Sequence, residues 1–177
     1  MALRDLIKDK HDLAESHRFV KYLFSGNISP ELYLDYLYNQ LHIYRTLEEK
    51  AKELSVLDGI ESIQRYDLIL EDIKALSQYG SIVRLYPSTQ KYADYITTID
   101  SDKILAHIYV RHMGDMFGGA MLKKVVPGGG KMYEFDNKNE LIQKLRAKLH
   151  DGLAGEANIV FDYAIQLYEE LSNEYHL

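Results

Sequence analysis

The sequence predicts an all-α fold in a single domain over residues 1–177, and three observations carry that expectation. Only three prolines occur, and Pro30, Pro87 and Pro127 each stand beside Ser, Asn or Gly, where a break is already signalled. Between the breaks, apolar residues recur at helical spacing. Alternating strand patterns are missing apart from short runs such as Ser81–Tyr86.

The first helix is expected from about Leu3 to Phe24. On a 3.6-residue wheel Leu6, Leu13, Val20 and Phe24 form one apolar stripe, the face expected to meet the other helices. Arg4, Ile7, His11, Ala14, Glu15 and Arg18 cluster on a second, mixed face, with Lys8 at its edge. Ser29 as N-cap and Pro30 as first helical residue open the second helix, which runs to about Leu54. Further helices are expected near 62–79, 88–98, 101–124, 137–150 and 155–175. Glycine-bearing connections at 57–59, 79–88, 125–136 and 150–155 separate them.

A chain of 177 residues is long enough to bury a core without disulfide staples. Cysteine is absent, which excludes disulfides, thiolate metal sites and cysteine nucleophiles and fits a reducing compartment such as the cytoplasm. No stretch approaches the ~20 apolar residues of a membrane span, and the first ten residues carry charges where a signal peptide needs an apolar run. A formal charge of −6 gives no indication of a nucleic-acid surface. Fifteen tyrosines fall mostly at helical spacings, as core or pocket wall would require.

The stretch Ala106–Lys124, AHIYVRHMGDMFGGAMLKK, carries Gly114, Gly118 and Gly119 inside a helix. Each costs roughly 1 kcal/mol relative to alanine, so a compensating gain is needed. Gly114 and Gly118 share one helical face, and Asp115 and Gly119 the neighbouring one. Either a close-packed backbone or a flat ligand lying on the helix would supply the gain, and spacing alone leaves both open. Asp115 is costly to bury for packing alone, yet in a reaction pocket it can organise water. His11 stands one turn before Glu15, where a carboxylate can orient an imidazole. By itself that segment also reads as an exposed histidine on a charged helix.

Other chemistries fail on spacing. No Glu-x-x-His pair supports a di-iron bundle, and no His-Glu-x-x-His supports a zincin. The Gly128–Lys131 run misses the phosphate-loop pattern at Val125 and Met132, so it reads as a mobile connection. A nucleophile elbow is also missing.

These residues resemble haem oxygenase. Ala106–Lys124 is similar to the family's distal-helix pattern of His, Tyr, Arg, then Gly-Asp, two residues, Gly-Gly and a basic end. Lys8–Ser16 resembles the proximal-histidine segment, Leu41–Ala51 the tyrosine-bearing second helix, Leu70–Gly80 the middle, and Ile165–Leu171 the last helix. All lie in family order.

The resemblance implies a helical fold holding haem b, both substrate and cofactor, between a proximal N-terminal helix and the glycine-rich distal helix. It makes His11 the iron ligand and Glu15 its hydrogen-bonding partner. Gly114, Gly118 and Gly119 would line the haem face. Asp115 would hold the distal water, supported by Tyr44 and Arg111. Arg4, Lys8, Tyr109 and Arg146 would hold the propionates, Arg146 with a one-residue shift. The implied reaction is cleavage of haem at the α-meso carbon to biliverdin, carbon monoxide and ferrous iron. It uses molecular oxygen and electrons from ferredoxin or a reductase. Ala120 stands where the family usually has Gln. The missing membrane tail fits soluble bacterial, plastid or viral forms. A non-enzymatic haem-binding or delivery module on the same fold is the competing reading, and an intact distal acid argues against it.

Overall fold

A computed structural model describes residues 1–80 and 84–177, and among them no β-strand occurs. The Ser81–Tyr86 run lies partly outside the described residues, and Arg84–Tyr86 are not in a strand.

The expected first helix is three pieces: α1 (Leu3–Leu6), α2 (Lys8–Glu15) and α3 (Arg18–Phe24). His17 makes the second break. Its backbone is extended, and its Nδ1 accepts from the Phe19 N–H at 3.0 Å, capping α3 as a side-chain N-cap does. The expected apolar stripe is corrected with it. Leu6, Leu13 and Phe24 are exposed, Leu13 at 55 %, whereas Leu3, Ile7, Ala14, Phe19 and Leu23 are buried. The row Leu3–Ile7–His11–Ala14 therefore faces the body of the protein, and the restart at His17 gives α3 its own phase. Of the eight residues of α2 only Ala14 is buried.

The second helix, α4 (Pro30–Glu53), starts where expected, with Ser29 Oγ accepting from the Leu32 N–H at 3.2 Å. It is the central strut and lies against α5 (Tyr66–Ala75), α6 (Pro87–Ile96) and α7 (Ser101–Ile108). Asp100 caps α7, accepting from the Lys103 N–H at 3.0 Å.

The expected continuous helix over 101–124 is interrupted. Residues Tyr109–Met113 form a π-helical turn between α7 and α8 (Gly114–Val125). A π turn inserts one extra residue and re-aims the helix beyond it. Helices α9 (Lys138–Arg146) and α10 (Ala154–Glu174) complete the chain. Helix α10 packs on α2, α3, α6 and α7, and the buried apolar residues form one continuous cluster.

The connection after α8 is not a loose linker. Gly128, Gly129 and Gly130 all have φ between +62° and +98°, a region glycine enters without a Cβ penalty. The Asp72 carboxylate ties the end of the loop by accepting from the Lys131 and Met132 N–H groups at 2.8 and 2.9 Å.

Candidate functional site

Two groups of residues define the candidate site, one on α2 and one along the π turn and α8. On α2 the His11 ring stands edge-on to Phe161 of α10, with centroids 5.9 Å apart and planes at 88°. Its Nε2 lies 3.3 Å from Glu15 Oε1 and its Nδ1 3.4 Å from Asp12 Oδ1. The imidazole remains 46 % exposed. An inward row whose last polar member keeps an accessible ring is what a ligand residue needs.

The three glycines of α8 do not share one role. A Cβ on Gly114 would meet nothing within 4 Å, and one on Gly118 would meet only Phe24 Cζ, at 3.9 Å. Their row is open, on the side of the α2–α3 segment to which Phe24 belongs. Gly119 is buried and turned the other way: its Cβ would lie 2.8 Å from Tyr133 Cδ1. Gly119 is thus a packing glycine, unlike Gly114 and Gly118.

Apolar side chains flank the open row without being covered. Phe117 is 56 % and Met121 67 % exposed on α8, and Phe24, the side chain nearest Gly118, is exposed on α3. Uncovered apolar side chains collected on two facing segments mark a binding surface. Cations gather beside them. The Arg146 guanidinium lies 5.8 Å from the centre of the Phe117 ring. Burial pushes the Tyr109 hydroxyl up, and the nearby Arg146 and Arg4 pull it back down, which brings α1, the π turn and α9 together at one spot. Lys8, grouped with these cations from sequence, is instead paired with Asp12 one turn along its own helix.

Asp115 is the acid of the site. The Tyr44 hydroxyl donates to its Oδ2. Burial raises its pKa from 3.8 to about 6, against the opposing pull of the Tyr44 hydrogen bond, His112, Arg111 and Arg65. Burial also pushes the Tyr44 hydroxyl well above its usual range, so it stays a donor. Such a carboxyl can give up or take a proton near neutral pH.

Arg111 is anchored from behind. Its Nε donates to Tyr92 Oη at 3.1 Å and its Nη1 to Gln40 Oε1 at 3.2 Å. Beyond it, the Tyr92 hydroxyl lies 2.7 Å from His107 Nδ1, and His107 Nε2 lies 2.8 Å from Glu156 Oε1. The Tyr95 hydroxyl donates to the same oxygen at 2.7 Å. Tyr92, His107, Glu156 and Gln40 escaped the sequence reading, because they come from four separate helices. His112, three residues before Asp115, escaped it too.

Among the described residues no cluster of three or more His, Asp or Glu could hold a bare metal ion, and no helix is long and apolar enough to cross a membrane. A planar apolar ligand with anionic edges fits what is present: a bare helix row, an uncovered apolar rim, converging arginines and an exposed imidazole.

Comparison with known proteins agrees with this geometry. The family model described as heme oxygenase matches residues 1–170. Heme oxygenase 2 of Mus musculus is 28% identical over 201 aligned residues, covering 96% of this chain and 64% of that protein, so the chain spans less than two thirds of its length. The heme oxygenase of Guillardia theta is 29% identical over 203 residues, covering 98% of this chain and 86% of that protein. Among solved structures, heme oxygenase from Leptospira interrogans superposes with a TM-score of 0.82 at 26% identity, covering 96% of this chain and 100% of that one. Heme oxygenase-1 of Synechocystis sp. PCC6803, solved in complex with heme, gives 0.84 at 22% identity, covering 97% and 91%. The chain belongs to the heme oxygenase family.

Proposed function

We propose that this chain, acting as one domain over residues 1–177, is a haem-degrading oxidoreductase. It would open haem at the α-meso carbon to biliverdin, carbon monoxide and ferrous iron, with molecular oxygen and electrons from ferredoxin or a reductase. Bound haem supplies the iron that activates oxygen and the ring that is attacked. The protein's own residues do the rest.

His11 would hold the iron through one imidazole nitrogen while Glu15 accepts from the other, which orients the ring and raises its basicity. Both ring nitrogens now face carboxylates, at 3.3 and 3.4 Å, too long to be strong bonds. Freeing one therefore costs little. Arg4, Tyr109 and Arg146 would seat the propionates, and Lys8 would join them only by leaving Asp12. Gly114 and Gly118 would let the backbone of α8 touch the ring. Asp115 holds and moves the proton, with Tyr44 donating to it and Arg111 keeping the surrounding field positive.

The observation that carries this function is the carboxyl of Asp115, held by the Tyr44 hydroxyl beside a bare helix row. A carrier of haem gains nothing from such an acid. The test is a haem titration followed through the Soret band, then one turnover under ascorbate and oxygen. The wild type should bind and bleach, forming biliverdin. Asp115→Ala should bind with similar affinity and form biliverdin roughly 10²-fold more slowly, the scale of a lost general acid. Equal biliverdin from both proteins would remove Asp115 from the mechanism, and a stable Soret band in the wild type would identify a carrier.

A further inference from the structure

Behind Arg111 a chain of buried side chains leads away from the site, and each hydrogen in it has one direction. Burial resists the charge of Glu156, but the hydrogen bonds from His107 and Tyr95 prevail and hold its carboxyl below the usual carboxylate range. A carboxylate only accepts, so His107 Nε2 carries the hydrogen between them. Burial pulls the His107 pKa down against the attraction of Glu156, so the ring holds that one hydrogen and Nδ1 is a bare acceptor. Burial likewise keeps Tyr92 protonated. Its hydroxyl therefore donates to Nδ1 at 2.7 Å, while its oxygen accepts from Arg111 Nε at 3.1 Å.

Anchoring an arginine needs a phenol oxygen, and it does not need a base and a carboxylate stacked behind that phenol. The aromatic packing adds a second feature. The Tyr163 ring of α10 lies on the Tyr92 ring, with centroids 4.6 Å apart and planes at 13°, and Tyr163 is only half-buried. On the opposite side the Arg111 guanidinium lies 4.8 Å from the centre of the Tyr92 ring and 5.9 Å from that of Tyr44, whose hydroxyl donates to Asp115. Tyr92 thus has the site at one end, the surface at the other and a base on its hydroxyl. A phenol gives up an electron readily only when its proton has somewhere to go, and a hydrogen-bonded neutral imidazole is such a place.

We propose that Tyr92, with His107 and Glu156 behind it, is a redox-active tyrosine, and that stacked Tyr163 is its outlet to the surface. One electron leaves Tyr92 for a one-electron oxidant. Its O–H bond breaks as an Nδ1–H bond forms on His107, and the Nε2–H proton passes to Glu156 Oε1. The products are a neutral tyrosyl radical, a neutral imidazole and a neutral carboxylic acid. No new cation is left beside Arg111, and a buried carboxylate is discharged. Hydrogen peroxide acting at bound haem is the oxidant the site would meet. It leaves the site short of electrons, Tyr92 supplies one, and Tyr163 draws the replacement from a soluble reductant. That use rests on the proposed function, whereas the redox activity of Tyr92 does not.

The experiment therefore uses the haem-free protein. The chain has no cysteine, so Gln166→Cys, at an exposed position three residues after Tyr163 and on the same helix face, accepts a single ruthenium polypyridyl label. Flash oxidation of the label, followed by tyrosyl absorption, should give a long-lived radical. Tyr92→Phe keeps the stacked ring without the hydroxyl, and His107→Gln keeps an acceptor for Tyr92 and a donor for Glu156 without a basic nitrogen. Each should shorten the radical's life roughly tenfold or more, since a positioned base is lost. Tyr95→Phe, which leaves the Tyr92–His107–Glu156 chain whole, should not. Glu156→Gln carries the test if His107→Gln does not fold. A long-lived radical that survives in Tyr92→Phe, or in a folded His107→Gln or Glu156→Gln, overturns the proposal, as does its absence from the wild type. That absence in a protein that binds and cleaves haem would sink Tyr92 alone. A long-lived radical lost with Tyr92, in a protein that never binds haem, would sink the proposed function alone.

Discussion

Asp115 pits stability against chemistry. A carboxyl raised from 3.8 to about 6 favours the folded state only while protonated. That contribution is complete below the unfolded value near 4 and is lost as pH rises through about 6, costing on the order of 2–3 kcal/mol at pH 8. Asp115→Asn, which still offers Tyr44 an acceptor, should gain little thermal stability over wild type at pH 4.5 and clearly more at pH 8. Calorimetry at the two pH values checks this, and an equal gain at both would mean that Asp115 is not strained by burial. His11 is a different case, because it is accessible and weakly partnered. His11→Ala should keep its helical circular dichroism and lose the imidazole-ligated haem spectrum, which added imidazole should restore. A spectrum unchanged by the substitution would assign the iron to another residue. Both residues stand out in the sequence because each belongs to a short local pattern. His112, Glu48, Tyr92 and Glu156 do not, since a hydrogen bond between residues 48 and 112 leaves no trace in either local pattern.

Helix α8 and the π turn before it show what periodicity can and cannot deliver. Glycine spacing correctly marks an unusual face, yet Gly118 and Gly119 are adjacent and serve opposite sides. Gly119→Ala should destabilise the haem-free protein by about 1–3 kcal/mol, since its Cβ has to displace Tyr133. Gly118→Leu should leave the haem-free protein helical and weaken haem binding. Denaturant melts and Soret titrations of the two variants separate these effects, and the reverse assignment would hold if Gly118→Leu unfolded while Gly119→Ala lost haem. The π turn itself was invisible, because one inserted residue does not disturb an apolar pattern that is already rich on every side. The misplaced stripe on α1–α3 has a related cause. Leu6 and Leu13 are more apolar than His11 and Ala14, and hydrophobicity alone does not tell which row of a short helix faces the protein.

At the scale of the whole molecule the helical class was readable because proline, serine caps and glycine connections agree with one another, as in α4 with its Ser29–Pro30 start. The packing was not, because it depends on which long helix becomes the strut. One feature of that packing reaches furthest. His11 rides on α2, and α2 is held by a single buried residue, Ala14, with Lys10 tied to Asp162 at the surface. An element with so little buried area opens at low free energy, well before the rest of the protein. Occupancy of the site is then coupled by mass action to the local opening of residues 3–15, and free haem at a hundred times its dissociation constant slows that opening's exposure about a hundredfold. Trypsin should cut the haem-free protein first after Lys8 and Lys10 and spare those bonds once haem is bound, while sites elsewhere are cut at similar rates in both. A digestion pattern indifferent to haem would show that α2 is anchored by more than Ala14. If the pattern does change, the N-terminal segment reports cargo to any cellular protease, and an empty molecule is marked for turnover sooner than a loaded one.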